Sequence, residues 1–543
     1  MNNDACNIVL RKGNYISGPS IDYKAIEGGL GKFMFDQSKK FPNKICQIFA
    51  ETGDYDTFST FIDKSVKVAI EMRKRGVTKG DMLVHCTPNT LDSAVAYTAG
   101  IFLGAISSSL DPTLPVRDCV HLVNLIEPKM VFLHENSVEL MENTLSSLEG
   151  TSKPSVIVFG NSEKYDTFKE FLNDSEDAEN FKPIDVTDCN ETILILFSSG
   201  TTGLPKGICL SHNSLYTSAM NYDCYINDTR VMIHFTTFYW ISALMIFFLQ
   251  FKRGDTRILS TGFEAETGLR YIEHYKITHA FMANSYMHKI ISYKFLHEYD
   301  LTSLTNLGLG GGPIGKELMM IFRKLLPGCY CNSIYGMTEI GGCISFYCPQ
   351  ESELSNQNPD SCGRPVKGIT IKVCDTETGK LLTANKSGEI RVKYPHILNG
   401  YHKQDHSDIF DEEGFIKTGD IGHYDETCSL YVYDRLKDMF KYQSWHIVPA
   451  SVENVIREHP EVAEVVVFGI PHEIDGDHPA AAITLIKDAK VTAPELDEFV
   501  TERVHERQRL RAGIFIVDHI PKTPTGKMLR RKIREQILEK IKK

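Results

Sequence analysis

The sequence predicts an α/β protein. A large N-terminal domain of mostly parallel sheets flanked by helices precedes a small mobile α+β domain at the C-terminus. Three observations carry this. Short uninterrupted apolar runs ("MLVHCT", "KMVFLH", "SVIVFG", "TILILF") alternate with helix-length segments over the first several hundred residues. Runs of that kind are strands buried on both faces, as in parallel sheets covered by helices. Near residue 434 the texture changes: "YVYDRLKDMFKYQSWHIVPASVENVIREHP" opens a region with its own strands ("AEVVVFGI", "AAAITLI", "GIFIVD") and a helix ("APELDEFVTERVHER"). Finally, 543 residues exceed one ordinary domain. The expected units are 1–433, a hinge at 434–438 in "DRLKD", and 439–543.

Composition is that of a globular chain, 42% hydrophobic and 24% charged. A net charge of -11 argues against a nucleic-acid binder driven by phosphate contacts. The fourteen cysteines are dispersed; Cys329/Cys331 and Cys343/Cys348 lack zinc-site spacing, and reduced, mostly buried thiols are expected. "VMIHFTTFYWISALMIFFLQF" (231–251) has the length of a bilayer span but carries His234, Thr236, Thr237 and Gln250. It reads as a buried strand followed by a buried helix, with no transmembrane segment expected. The opening "MNNDACNIVLRKGNY" shows no secretory pattern, which points to an intracellular protein. From Lys522 onward there are nine Lys/Arg against two Glu, with Ile533, Ile537 and Ile541 at helical spacing. This reads as a terminal helix with one packed face.

The chemistry concentrates in "SSGTTGLPKG", Ser198 to Gly207, set between "ILILF" and "ICLSH". A Walker loop requires G-x-x-x-x-G-K-[ST] before a helix. Here Pro205 and Gly207 occupy two of the fixed positions, and a second strand follows the loop, with a helix beginning only near Ser211 or Asn213. The Rossmann fingerprint fails as well, because "GLGGGP" puts Pro313 at its third glycine. The side chains still suit polyphosphate. Ser198, Ser199, Thr201 and Thr202 offer hydroxyls, Gly200, Gly203 and Gly207 allow close backbone approach, and Lys206 supplies charge.

This loop resembles the phosphate-loop signature of the adenylate-forming superfamily, which comprises acyl-CoA synthetases, insect luciferases and related acid-activating enzymes. "IYGMTE" (334–339), "KTGDIG" (417–422), "YDRLKD" (433–438) and "PKTPTGKMLR" (521–530) follow in the family's order and spacing. Within the family the chain is most similar to insect luciferase-like acyl-CoA synthetases, then to plant coumarate–CoA ligases. The resemblance implies an acid–thiol ligase that joins a carboxylic acid to ATP, with Mg²⁺, and passes the acyl group to coenzyme A. It implies that the loop holds the β- and γ-phosphates, that Thr202 and Glu339 help hold Mg²⁺, and that Thr338 contacts the α-phosphate. Tyr335, followed by Gly336, would stack on adenine, with the backbone of Gly310, Gly311 and Gly312 on the other side. Asp420 would accept the ribose hydroxyls, Arg435 would lie near the nucleotide, and Lys527 would neutralise charge at the reacting centre. Lys437 would be the pivot of a domain rotation that brings Lys441 in for the thioester step.

Two departures bear on specificity. Where the family commonly has a His-rich "HHGFG"-like segment, this chain has "FTTFYWISALM", with Trp240 at the luciferase histidine position and Ser242 where an aromatic usually stacks on luciferin. That suits an apolar pocket for a medium- or long-chain fatty acid and weighs against light production; Trp240 as simple core is the alternative. The other is Ser444 in "KYQSW", at a position where the family usually has glycine beside the pantetheine arm. Besides the synthetase, a luciferase-type monooxygenase and a non-catalytic nucleotide-binding relative remain open readings. The family's peroxisomal habit meets no Ser-Lys-Leu at "EKIKK", so a cytoplasmic placement is expected, with a peroxisomal one as the alternative.

Overall fold

The computed structural model describes residues 9–148, 153–198, 205–225, 230–396, 398–405, 407–443, 445–522 and 528–541. The four apolar runs become Met82–Cys86, Met130–His134, Ser155–Phe159 and Thr192–Ser198, all in one seven-stranded sheet. Its pairs are parallel except for Thr192–Ser198 with Lys206–Ser211. Side chains alternate between two cores. Leu83, Phe132, Ile157 and Leu194 enter one, while Val84, Val131, Val158 and Ile195 enter the other. Burial on both faces is why these strands read as continuous apolar runs.

A second seven-stranded sheet holds Tyr330–Ser333, Asn306–Gly310, His279–Ala283, Val231–His234, Thr256–Leu259, Ile45–Phe49 and Tyr55–Thr57. It too is parallel except at one edge pair. The 231–251 segment is the expected strand and helix: Val231–His234, then Ile241–Arg253, whose residues 243–251 are all buried. Gly254 ends that helix at φ 69°, and a Cβ there would stand 2.7 Å from the Phe41 ring. Among the described residues no helix is long and apolar enough to cross a membrane.

A third sheet is not announced by apolar runs in the sequence. Leu10–Lys12, Tyr15–Ser17, Thr370–Cys374, Gly388–Lys393, Ile416–Tyr424 and Leu430–Arg435 form six antiparallel strands. Their partly polar faces, with Lys372, Arg391 and Lys393 among them, do not stand out as apolar runs. A small antiparallel sheet joins Tyr335–Met337, Gly342–Phe346 and Arg364–Pro365.

After Leu430–Arg435 the chain makes one 3₁₀ turn, Leu436–Asp438, and enters a five-stranded sheet. That sheet contains Phe440–Tyr442, Trp445–Ile447, Val462–His472, Gly476–Leu485 and Ile514–Ile516. Helices Pro449–Arg457, Ala493–Thr501 and Arg530–Ile541 pack on it. The terminal helix departs from its expected face. Ile533 and Ile537 pack with Val466, Phe468 and Ala480, but Ile541 is 52% exposed. Part of its basic character also turns inward, since Arg530 donates to Glu453 and to the Val467 carbonyl.

Ile537→Ala is expected to cost about 2–5 kcal/mol of stability, and Ile541→Ala no more than about 0.5 kcal/mol. Denaturant unfolding followed by circular dichroism measures both. Equal losses would contradict this assignment of the packed face.

Candidate active site

Strands Thr192–Ser198 and Lys206–Ser211 run antiparallel with Ser198 opposite Lys206. The second strand thus begins at the lysine itself, earlier than the sequence reading placed it. Ser199, Gly200, Thr201, Thr202, Gly203, Ser444 and Lys527 lie outside the described residues, and of Ser198 only the backbone is described. Ser211 caps the following helix, His212–Tyr222, by accepting from Ser214 N–H. The outer edge of Lys206–Ser211 is covered by residues 398–402, through Asn399 N–H to Cys209 O (2.8 Å), Cys209 N–H to Gly400 O (3.0 Å) and His402 N–H to Gly207 O (2.7 Å). This strap lays the Tyr401 ring beside Lys206, whose Nζ is 4.8 Å from the ring centroid.

Asp420 is the best-anchored acid of the site. It is 4% exposed, and its Oδ2 accepts from the Tyr335 hydroxyl at 2.6 Å. Its Oδ1 pairs with Arg435 Nε at 2.7 Å. The sheet register produces the second contact, since Asp420 lies directly across from Arg435 on adjacent antiparallel strands. From below, Thr418 Oγ1 accepts from Asp420 N–H and donates to Ile390 O. Burial alone would lower the Arg435 pKa, but Asp420, Tyr335 and Glu339 outweigh it and hold the guanidinium charged. Burial, reinforced by the neighbouring Asp420 charge, raises the Tyr335 phenol well above its ordinary value, so it stays a donor.

Thr338 and Glu339 occupy a 3₁₀ turn, Thr338–Ile340, closed by Gly341 N–H to Thr338 O at 2.8 Å. Leu398 N–H donates to Glu339 O at 2.9 Å, so the strap also holds this turn. Both side chains remain partly open to solvent. The Glu339 carboxyl is pushed above its ordinary range by burial, with Asp420 adding repulsion; Arg435 and a hydrogen bond with Tyr401 oppose this. A carboxylate that the protein alone leaves disfavoured, carrying hard oxygen donors, fits a divalent cation such as Mg²⁺.

Gly310, Gly311 and Gly312 follow the Asn306–Gly310 strand, with Gly311 at φ 89° facing open space. Asn284 Nδ2 pins the turn by donating to Gly312 O at 2.7 Å. Asn284 Oδ1 finds no partner among the described residues, which leaves an acceptor beside the turn. Gly336 has no room for a side chain, because a Cβ would lie 2.4 Å from Gly342 O. Trp240 stands at the N-terminus of Ile241–Arg253, half-buried and edge-on to Tyr239. It belongs to none of the apolar cores, and Ser242 is likewise half-buried. Tyr239 packs in turn on Phe197 in the strand that leads into the phosphate loop.

Lys437 is exposed in the Leu436–Asp438 turn. Lys441 pairs with Glu377 at 3.0 Å, not with Asp420 or Glu339. The fold thus brings Lys206, Tyr335, Thr338, Glu339, Asp420 and Arg435 into one neighbourhood and leaves Lys441 outside it. Sequence reasoning missed Tyr401 and Asn284. A lone Tyr in "NGYHK" and a lone Asn in "MANSY" carry no spacing signal; only the strap and the glycine turn give them a place.

A doubly held acid, a glycine turn, a strand-borne lysine and a glutamate with a raised pKa, gathered in one neighbourhood, suit a nucleotide polyphosphate. The profile of the AMP-binding enzyme family matches residues 34–402, and that of the AMP-binding enzyme C-terminal domain matches 451–527. The chain belongs to the AMP-binding enzyme family, within the adenylate-forming superfamily. It is 26% identical to luciferin 4-monooxygenase of Photuris pensylvanica, across 97% of this chain and 99% of that one. It is 29% identical to 4-coumarate–CoA ligase 1 of Petroselinum crispum, across 94% of each chain. The structure of the luciferase-like enzyme from the nonluminescent mealworm Zophobas morio aligns with a TM-score of 0.75 at 35% identity, covering 80% of this chain and all of that one. ATP-bound MatB from Rhodopseudomonas palustris shares the fold, with a TM-score of 0.83 at 22% identity over 94% of this chain and 99% of that one. The enzyme class is that of the AMP-forming acid–thiol ligases, which work with ATP, Mg²⁺ and coenzyme A.

The native fold raises the Glu339 pKa, so its ionisation penalty is absent well below the ordinary 4.5 and complete only above the raised native value. Glu339→Gln is therefore expected to raise the unfolding temperature of the ligand-free protein at pH 7. The same substitution should weaken MgATP binding on the order of tenfold or more. Thermal unfolding with and without MgATP measures both, and an unchanged MgATP shift would contradict the cation-binding assignment.

Proposed function

We propose that the protein is an ATP-dependent acyl-CoA synthetase acting on a medium- or long-chain fatty acid. It forms the acyl-adenylate with release of pyrophosphate, then transfers the acyl group to coenzyme A with release of AMP. The observation that carries this reading is the anchored Asp420, tied to Tyr335 and Arg435, in the same neighbourhood as Glu339 and Lys206. One end suits a ribose and the other a polyphosphate.

In the first step the acid's carboxylate oxygen attacks the α-phosphorus, and the bond to the β-phosphate oxygen breaks. Both partners are anions, so positive charge must be fixed where the negative charge develops. Lys206 and the Ser198–Gly203 loop hold the departing pyrophosphate, Thr338 contacts the α-phosphate, and Lys527 neutralises the equatorial oxygens. Mg²⁺, when bound by Glu339 and Thr202, supplies Lewis-acid charge to the phosphates. Tyr335, steadied by its bond to Asp420, presents its ring to adenine opposite Gly310–Gly312.

The second step needs another face of the small domain, comprising residues 439–543 with 434–438 as hinge. Turning about Lys437 withdraws Lys527 and brings Lys441 toward the adenylate. The Lys441–Glu377 pair is solvent-exposed on both sides, and such pairs contribute at most about 1 kcal/mol. It therefore presents little barrier to the turn. Asp434 accepts from Ala450 N–H at 3.0 Å and faces Arg530, contacts that cross the pivot and are exchanged in the rotation. For the acid, the half-buried Trp240 and the small Ser242 favour an aliphatic chain over a stacked aromatic one.

Pyrophosphate release across a panel of acids, with and without coenzyme A, is expected to peak with aliphatic acids and to yield their thioesters. Light from luciferin and ATP would overturn the reading in favour of the monooxygenase. Lys527→Ala should lower adenylation by at least about a hundredfold while a supplied acyl-adenylate is still converted to thioester. Lys441→Ala should do the reverse, and equal damage to both half-reactions would count against two alternating faces.

A further inference from the structure

The hairpin formed by Val462–His472 and Gly476–Leu485 carries a cluster that the adenylating site does not use. His472 and Gly476 are its last cross-strand pair, so Glu473, Ile474 and Asp475 form the turn. Gly476, at φ 84°, reverses the chain there, and a Cβ would meet Lys441 O at 2.7 Å. The turn brings three donor groups together. His478 Nε2 lies 2.9 Å and His472 Nδ1 3.6 Å from the same oxygen, Asp475 Oδ2. The two imidazoles stack with centroids 3.9 Å apart and planes 12° from parallel. All three ligand atoms lie within 4.8 Å of one another. Around a tetrahedral ion with bonds of about 2.0–2.1 Å, neighbouring ligands stand about 3.3 Å apart. The two distances to the carboxylate, 2.9 and 3.6 Å, bracket that spacing, and the exposed His472 ring must turn out of its stack for both nitrogens to face one ion. His472 Nδ1 also accepts long contacts from the N–H groups of Ile474 (3.4 Å) and Asp475 (3.3 Å), which a bound ion would replace.

We infer that His472, Asp475 and His478 form a binding site for a borderline divalent transition ion such as Zn²⁺. Two imidazoles and one carboxylate suit that class, whereas Mg²⁺ and Ca²⁺ prefer all-oxygen shells. Three protein ligands leave a fourth position for water, and His472 sits on the exposed side. The site also has a mechanical connection. Asp475 Oδ1 accepts from Gln443 Nε2 at 3.0 Å, and Asp475 O accepts from Gln443 N–H at 2.8 Å. Gln443, at φ 48°, lies two residues beyond Lys441. An ion held by Asp475 therefore stiffens the turn that carries Lys441. This consequence rests on the proposed thioester step; the binding itself does not.

The test uses the full chain, stripped with chelator and kept in excess Mg²⁺, titrated with Zn²⁺ by calorimetry and with Co²⁺ by visible absorption. One equivalent of Zn²⁺ and a Co²⁺ spectrum of nitrogen–oxygen coordination are expected. His472→Ala and His478→Ala should each lower Zn²⁺ affinity at least about tenfold with far-ultraviolet circular dichroism unchanged. Affinity equal to that of the His472→Ala/His478→Ala double variant, or a thiolate-type Co²⁺ spectrum, overturns the site. Pyrophosphate release, measured in parallel, separates the two readings: binding without adenylation refutes the proposed function and leaves the ion site standing.

Discussion

The active site depends on the bidentate use of one buried carboxylate. Asp420 comes from the six-stranded antiparallel sheet and Tyr335 from the small three-stranded one, so their 2.6 Å bond ties together two layers of the large domain. Arg435 is fixed on the other oxygen by strand register, two residues before the proposed pivot at Lys437. A buried carboxylate without such partners would be strongly penalised. The demand to satisfy Asp420 thus fixes the orientation of the Tyr335 ring and the position of the strand end from which the small domain departs.

The strap at 398–402 has a comparable role at the phosphate end. The Lys206–Ser211 strand is the antiparallel edge of an otherwise parallel sheet, and an uncovered edge would present unpaired backbone groups. Covering it with main chain satisfies those groups and in the same stroke supplies Tyr401 to Lys206 and a backbone bond to Glu339. Edge protection and site assembly are here one structural feature.

Much of the architecture was legible because it leaves a compositional trace. Strands buried on both faces must be apolar throughout, which exposed Met82–Cys86, Met130–His134, Ser155–Phe159 and Thr192–Ser198 as a group. A helix N-terminus prefers a short polar side chain, which marked Ser211 and Asn213 alike, and the structure caps with Ser211. Strands such as Thr370–Cys374 and Gly388–Lys393 have one partly polar face, and their alternation is too short to separate from loop. Ile541 misled for the opposite reason: its helical spacing fits the packed stripe, but it lies outside the cluster that holds Ile533 and Ile537 and is exposed.

The sequence by itself determined the class of chemistry. A dense run of hydroxyls, glycines and one lysine between two strands is a local property, readable because phosphate recognition by backbone and short side chains is local. Tertiary structure alone decided which acids and rings meet. The contact of Tyr335 with Asp420 spans 85 positions, and Tyr401 reaches Lys206 only through an edge pairing of distant segments. The Glu339 environment, raised by its burial beside Asp420 and eased by Arg435 and Tyr401, is likewise a product of three distant segments. Electrostatic environment depends on distance and burial, and neither is written in the order of residues.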